Sequence, residues 1–395
     1  MRLDNLLVIA PAFPDRLNEN ITGMFIKEQI KYIKEYFSEV YVISPTTIWS
    51  NYIRGKKQEA YGWDNVHVYY PRIVNFPSPY VPTMLKKLWL KKEASGISRL
   101  IRSEGISFDL IHAHYTWYPG AVAAELKKEF GRPLVITEHT SVTLSKALKR
   151  KDPYFINTWA NCSAVISVNR KTTSYLESFN KKSIYVPNGF DEETVYLQNK
   201  QECRKRLNID SNINIILSLG SLEDVKGHKY LIDAMNEVIN KRKDVLCLIG
   251  GSGPLKKMLL KRIKDADLGD YVELIGQIPR KEISTLINAC DIFVLPSLSE
   301  SFGIVQIEAL ACGKPVVATR NGGSEEIIIS DEYGYLVETG NEMQLAEKIS
   351  LALDKDWNED RIRDYASGFS WKKIAAKIVS IYEDLEKKQE TQEII

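Results

Sequence analysis

From Asn212 to about Leu353 the chain alternates short runs rich in β-branched residues with segments of helical period, a rhythm that few architectures accept. The runs predict strands at Ile213 to Leu219, Val245 to Ile249, Val272 to Ile275, Ile292 to Leu295, Pro315 to Ala318 and Tyr335 to Val337. Between them, His228 to Lys241 sets Leu231, Ala234, Met235 and Val238 on one stripe, and Leu255 to Lys264 does the same with Leu255, Met258, Leu259 and Ile263. The expectation is a parallel, doubly wound α/β sheet.

The first half repeats the theme less regularly. Its predicted strands are Leu6 to Ala10, Val40 to Ile43, Val66 to Tyr70, Asp109 to His112, Leu134 to Thr137, Ala164 to Val168 and Ile184 to Val186, with helices at Met24 to Phe37, Val122 to Phe130 and Thr172 to Phe179. A chain of 395 residues, at ~150 per domain, predicts roughly two to three domains. The division expected is residues 1–187, residues 188–369, and a terminal helix in residues 370–395 carrying Trp371, Ile374, Ile378 and Tyr382 at helical spacing. Asn188-Gly189 is the candidate hinge, a cleft between the halves is implied, and Lys387 to Glu393 reads as a frayed polar tail.

Lys and Arg (53) nearly balance Asp and Glu (51), and a net charge of +2 lacks the field of a dedicated nucleic-acid binder, so no nucleic-acid partner is expected. The opening Met1 to Ala10 has Asp4 where a signal peptide would carry positive charge and is closed by Pro11, so it reads as a first strand. With no apolar stretch near the ~18 residues of a spanning helix, a cytoplasmic location is expected. Five cysteines at wide spacings without a CxxC read as reduced packing residues. Two readings fit Pro79 to Lys92, where Leu85, Leu88 and Trp89 alternate with Lys86, Lys87, Lys91 and Lys92: a helix on an anionic membrane surface, through residues 84–92, or a core-facing helix with snorkelling lysines.

The strongest chemical signal is Ser297-Leu-Ser-Glu300-Ser-Phe-Gly-Ile-Val-Gln-Ile-Glu308-Ala-Leu-Ala-Cys-Gly313-Lys-Pro-Val-Val, a strand end followed by a loop and a helix. Glu308 stands ~12 Å along the axis from Glu300 if every step is helical. The amides of Phe302, Gly303, Ile304 and Val305 would lie at the helix N-terminus, where free donors and the dipole favour phosphate oxygens. Glu308 among Ile304, Val305, Ile307 and Leu310 is a carboxylate that needs partners, such as paired hydroxyls.

These residues, with Ala311-Cys-Gly-Lys-Pro-Val-Val-Ala318 and Asn321-Gly-Gly, resemble the retaining glycosyltransferases of family 4, whose fold is the two-lobed GT-B. The resemblance is strong from Tyr185-Val-Pro-Asn-Gly-Phe-Asp onward. It implies a nucleoside-diphosphate sugar donor held by the second lobe, a saccharide or lipid-linked acceptor on the first, and a last helix that crosses back onto the first lobe. Glu308 matches the family's ribose-binding glutamate, Glu300 the glutamate beside the transferred sugar, and Lys226 the lysine that neutralises the leaving diphosphate. The family usually has arginine where this chain has Ser221. Ile278, in Gly276-Gln-Ile-Pro-Arg280, matches the loop whose backbone reads the nucleobase.

In the first half, Gly23 matches one of the family's paired loop glycines, and His139, in Thr137-Glu-His139-Thr, the histidine near the anomeric carbon. His112 and His114 end another predicted strand and fit structural histidines or, with His139, zinc ligands. Asp265-Ala-Asp267 and Asp354-Lys-Asp356 spell a metal-binding pattern but sit among lysines at helix ends, so neither a metal nor another cofactor is expected. The resemblance thus implies a retaining, metal-independent transferase. A sugar-nucleotide epimerase, a phosphorylase or a catalytically silent binding subunit are the alternatives.

Overall fold

The computed structural model describes residues 3–18, 22–47, 58–73 and 83–393. Asn20 and Ile21 beside Gly23, and Pro79 to Pro82 of the predicted surface helix, lie outside the described residues. The chain divides into two compact units, Met1–Pro187 with Trp371–Ile395, and Asn188–Ser370.

Strands of the first unit are β1 (Leu3–Ile9), β2 (Phe37–Ile43), β3 (Thr46–Thr47), β4 (Tyr61–Trp63), β5 (Val66–Tyr69), β6 (Arg72–Ile73), β7 (Leu110–His114), β8 (Leu134–Glu138), β9 (Ala164–Ser167) and β10 (Ser183–Tyr185). Eight form one sheet in the order β10-β9-β8-β7-β1-β2-β5-β4, while β3 and β6 make a separate parallel pair. The pairings are parallel except β4 with β5, an antiparallel edge that the sequence reading did not contain. β1 explains its own continuous apolar run: Leu6 and Val8 enter one core and Leu7 and Ile9 the other, so both sheet faces are buried. One core receives helix Met24–Ile33 and the terminal helix Trp371–Glu393, whose Trp371, Ile374, Ile378 and Tyr382 are buried there. The other takes helix Thr83–Ser103 through Leu90, Ala94, Ile97 and Ile101.

Several local expectations are corrected. The first helix ends at Ile33, and Phe37, fully buried, already belongs to β2, because an aromatic run fits a buried strand as well as a helix. The terminal helix continues through Lys387 to Glu393 instead of fraying. Helices Ser141–Lys149, Pro153–Asn161 and Lys200–Arg206 were not anticipated. The second of these had a legible start: Asp152 Oδ1 accepts the Tyr154 amide at 3.0 Å with Pro153 in the first turn.

The second unit holds β11 (Asn214–Leu219), β12 (Val245–Gly250), β13 (Val272–Gly276), β14 (Ile292–Leu295), β15 (Val316–Thr319) and β16 (Gly334–Val337), all parallel, in the order β13-β12-β11-β14-β15-β16. This is the doubly wound sheet expected. Its order reverses between β11 and β14, so the loops after those two strands flank the switch point where open α/β sheets bind ligands.

Candidate active site

Those two loops converge. Gly227 closes the loop after β11 with φ 66°, and a Cβ there would stand 2.0 Å from the Pro296 carbonyl oxygen, so only glycine lets the two loops pack. The Leu298 amide donates to the Val225 carbonyl at 2.7 Å, closing the contact. Lys226 Nζ then donates to Glu300 Oε1 at 2.7 Å, and Ser297 Oγ donates to the same oxygen at 2.8 Å. Residues 74 positions apart thus form one charged centre, with Glu300 largely buried and Lys226 one-quarter exposed.

The loop after β15 braces this centre. Asn321 Oδ1 accepts the Gly323 and Ser324 amides at 3.0 and 2.9 Å, and the Asn321 carbonyl accepts the Glu300 amide at 3.0 Å. Gly303, at φ 90°, starts helix Ile304–Ala311, whose first amides have no intrahelical partner. Phe302 buries its ring against Phe369, while Ile304 and Val305 are half-buried. Glu308, 3% exposed at its side chain, is held by Arg280 Nη1 at 2.6 Å. Arg280 was not singled out from the sequence, since nothing in a spacing of 28 residues ties a helix-start arginine to Glu308. Ser297 and Asn321 are further supports whose roles depend on contacts, not on spacing.

Two further expected donor residues make local contacts. Ser221 Oγ is turned to Glu223 Oε2 at 3.3 Å. Ile278 is half-buried, its Cγ1 3.0 Å from where a Cβ on Gly250 would stand.

The first unit carries a different constellation. β7 and β8 run in register, His112 opposite Val135 and His114 opposite Thr137, so their ends lie side by side. His112 is saturated, with Nε2 2.7 Å from Thr137 Oγ1 and Nδ1 2.6 Å from the Tyr382 hydroxyl, which makes it a structural histidine. His114 Nδ1 and His139 Nε2 are 3.0 Å apart, and among the described residues His139 Nδ1 has no hydrogen-bond partner. Phe25 stacks edge-on against His139 at 4.8 Å, placed by a helix that begins at Gly23. A Cβ on Gly23, at φ 81°, would lie 2.3 Å from the Ala12 carbonyl oxygen, which excludes larger residues. Burial holds His112 and His139 down to about 3, and burial with the two neighbouring imidazoles holds His114 well below its ordinary value. Glu138 lies between, accepting the Thr116 amide at 3.1 Å and the Thr140 amide at 2.8 Å. Among the described residues no group of three or more His, Cys, Asp or Glu is placed to hold a metal ion. All five cysteines are buried and unpaired.

A sheet with a charged switch-point site, in a chain of two Rossmann-like units, defines a GT-B glycosyltransferase. The family model described as glycosyl transferases group 1 matches residues 199–369, and that described as glycosyltransferase family 4 matches residues 26–194. The chain is 31% identical over 292 residues to an uncharacterized glycosyltransferase of Methanocaldococcus jannaschii, covering 72% of this chain and 78% of that one. It is 28% identical over 326 residues to the D-inositol 3-phosphate glycosyltransferase of Corynebacterium efficiens, with 74% of each covered. Among solved structures, sucrose-phosphate synthase from Thermosynechococcus elongatus superposes with a TM-score of 0.80 at 21% identity, covering 98% of this chain and 100% of that one. Anabaena HepE in complex with UDP gives a TM-score of 0.73 at 20% identity, covering 97% and 100%. The chain belongs to the group 1, family 4 glycosyltransferases, and it is a transferase.

Proposed function

We propose that this transferase moves a sugar from a nucleoside-diphosphate sugar to a hydroxyl acceptor with retention of configuration and without a metal. The observation that carries the reading is the pair of bonds Lys226 to Glu300 and Arg280 to Glu308 around the start of helix Ile304–Ala311. The diphosphate sits against Lys226 and the amides of Phe302 to Val305, where charge on the leaving phosphate is stabilised as the glycosidic bond breaks. Glu308 takes the ribose hydroxyls and Glu300 the transferred sugar, with Ile278 beside the base. The acceptor hydroxyl attacks C1 on the face that the phosphate leaves, and its proton passes to the departing phosphate oxygen. His139, kept neutral by burial, meets the sugar as a hydrogen-bonding group. Donor complexes of a protein with the same fold, HepE with UDP and with UDP-glucose, support a sugar nucleotide.

The acceptor is a glycan, a lipid-linked saccharide or a small molecule held by the first unit, and the enzyme works in the cytoplasm. No helix among the described residues is long and apolar enough to cross a membrane. A peripheral contact draws support from Leu88, 63% exposed, beside exposed Lys87, Lys91 and Lys92. The expected basic face is corrected at Lys86, which is buried, paired with Asp152 and 4.8 Å over the Trp117 ring. Flotation with anionic vesicles tests this contact; protein that stays at the bottom removes it.

The central experiment is a thermal-shift panel of UDP-, GDP-, ADP- and dTDP-sugars with chelator present, followed by NMR of the anomeric signal in the product. A selective shift lost in Glu308→Ala and an axial or equatorial configuration carried over from the donor support the reading. Inverted product or activity lost in chelator overturns retention or metal independence, and donor binding with no turnover points to a silent subunit.

A further inference from the structure

Gln306 lies wholly buried in helix Ile304–Ala311, one turn in from Gly303. Its Nε2 donates to the Phe302 carbonyl at 3.3 Å and stands 3.5 Å from the Gly303 carbonyl, which also accepts the Gln306 backbone amide at 3.0 Å. Only glycine at 303 leaves room for this side chain, because a Cβ there would stand 2.4 Å from Nε2. The Gln306 Oε1, equally buried, has no hydrogen-bond partner among the described residues.

Those two carbonyls decide where two amides point. In a trans peptide the C=O and the following N–H share a plane and are directed oppositely, and the Phe302–Gly303 and Gly303–Ile304 bonds are both trans. Anchoring the Phe302 carbonyl inward therefore aims the Gly303 N–H out from the helix start, and anchoring the Gly303 carbonyl does the same for the Ile304 N–H. Neither amide donates to an acceptor among the described residues, so both are available to an anion. Stability does not explain the glutamine. A buried amide oxygen without a partner is costly, and an apolar side chain of similar size would avoid that cost. Such a local conflict, kept in an otherwise apolar helix, marks function. We infer that Gln306 is a positioning residue for donor binding, holding the Gly303 and Ile304 amides in the orientation that receives the diphosphate. The inference rests on the donor reading proposed above and adds to it what preorganises those amides. Wholly buried, Gln306 acts through the backbone and touches no donor atom itself.

Titration calorimetry of the full chain with UDP, GDP, ADP and dTDP, each beside its free nucleoside, tests this in the unsubstituted protein, in Gln306→Met and in Gln306→Leu. Both substitutions remove the donor and put an apolar group of similar size in its place. The diphosphate that the unsubstituted chain binds should be held ~10-fold more weakly by both variants, because charge-assisted bonds lose their alignment. Its nucleoside, bound through Glu308 and the base contact, should keep its affinity. The thermal midpoint without ligand should hold or rise. Unchanged diphosphate affinity in both variants overturns the inference. An equal loss for diphosphate and nucleoside, or a ligand-free midpoint that drops in both variants, marks a merely structural residue and also overturns it. If none of the four diphosphates binds the unsubstituted chain, the donor reading itself fails, a result distinct from binding that Gln306 does not influence.

Discussion

The two units solve the same problem in opposite ways. At the switch point of the second, carboxylates are paired with cations, Glu300 with Lys226 and Glu308 with Arg280. At the strand ends of the first, buried imidazoles are kept neutral by desolvation and by one another. A site of paired charges is ready to exchange partners with a charged ligand, because each carboxylate already has its geometry fixed. A site of neutral histidines offers hydrogen bonds without competing for the ligand's charge.

Substitutions can break that contrast, starting with the largest effect. Lys226→Ala should lower kcat ~10²–10³-fold, the scale of losing one donor to developing negative charge. Steady-state kinetics with saturating donor checks this, and an unchanged kcat sinks the diphosphate role. Glu308→Ala should act on donor affinity instead, by ~10–100-fold, as loss of charge-assisted bonds worth ~1.5–3 kcal/mol implies. Glu300→Gln should fall between them, reducing both parameters, when Kd and kcat are measured separately.

Arg280→Ala should destabilise the second unit by ~1–3 kcal/mol, because it leaves Glu308 buried without its partner. Adding Glu308→Gln should recover part of the loss in urea titration; no recovery would mean that Arg280 acts through other contacts. In the first unit the contrast is read by pH. His112 and His139 titrate near 6.5 when unfolded and near 3 when folded, so in that window the unfolded state binds more protons. Their stability is full above 6.5 and lost as pH falls toward 3. The thermal midpoint should drop through that window, and less steeply in His139→Gln. Glu93 runs the other way, from an ordinary 4.5 to about 8, so its folded form binds the extra proton and stability falls as pH rises between those values. Glu93→Gln should flatten this smaller slope, measured as the thermal midpoint from pH 5 to 8.

What could be read in advance follows a physical division. Strands such as Val316–Thr319 and helix His228–Lys241 were legible because burial on both faces, or on one stripe, imposes a period on neighbouring residues. Strand Tyr61–Trp63 was not, since three residues paired to one neighbour on an edge carry no period. Glu300 and Glu308 were legible because one loop and one helix hold both.

The partners of these glutamates were not legible. Lys226 was picked out for its own loop and for a family resemblance, yet its bond to Glu300 arises only because β11 and β14 are neighbours in the sheet. Arg280 reaches Glu308, and Tyr382 reaches His112 across 270 residues, through the same kind of encounter. Local pattern fixes which residues turn inward and where a helix begins, because those depend on geometry within a few residues. Which charge meets which, and which imidazole is left dry, is decided by strand order and packing, because desolvation and hydrogen bonding act between atoms close in space, whatever their separation along the chain.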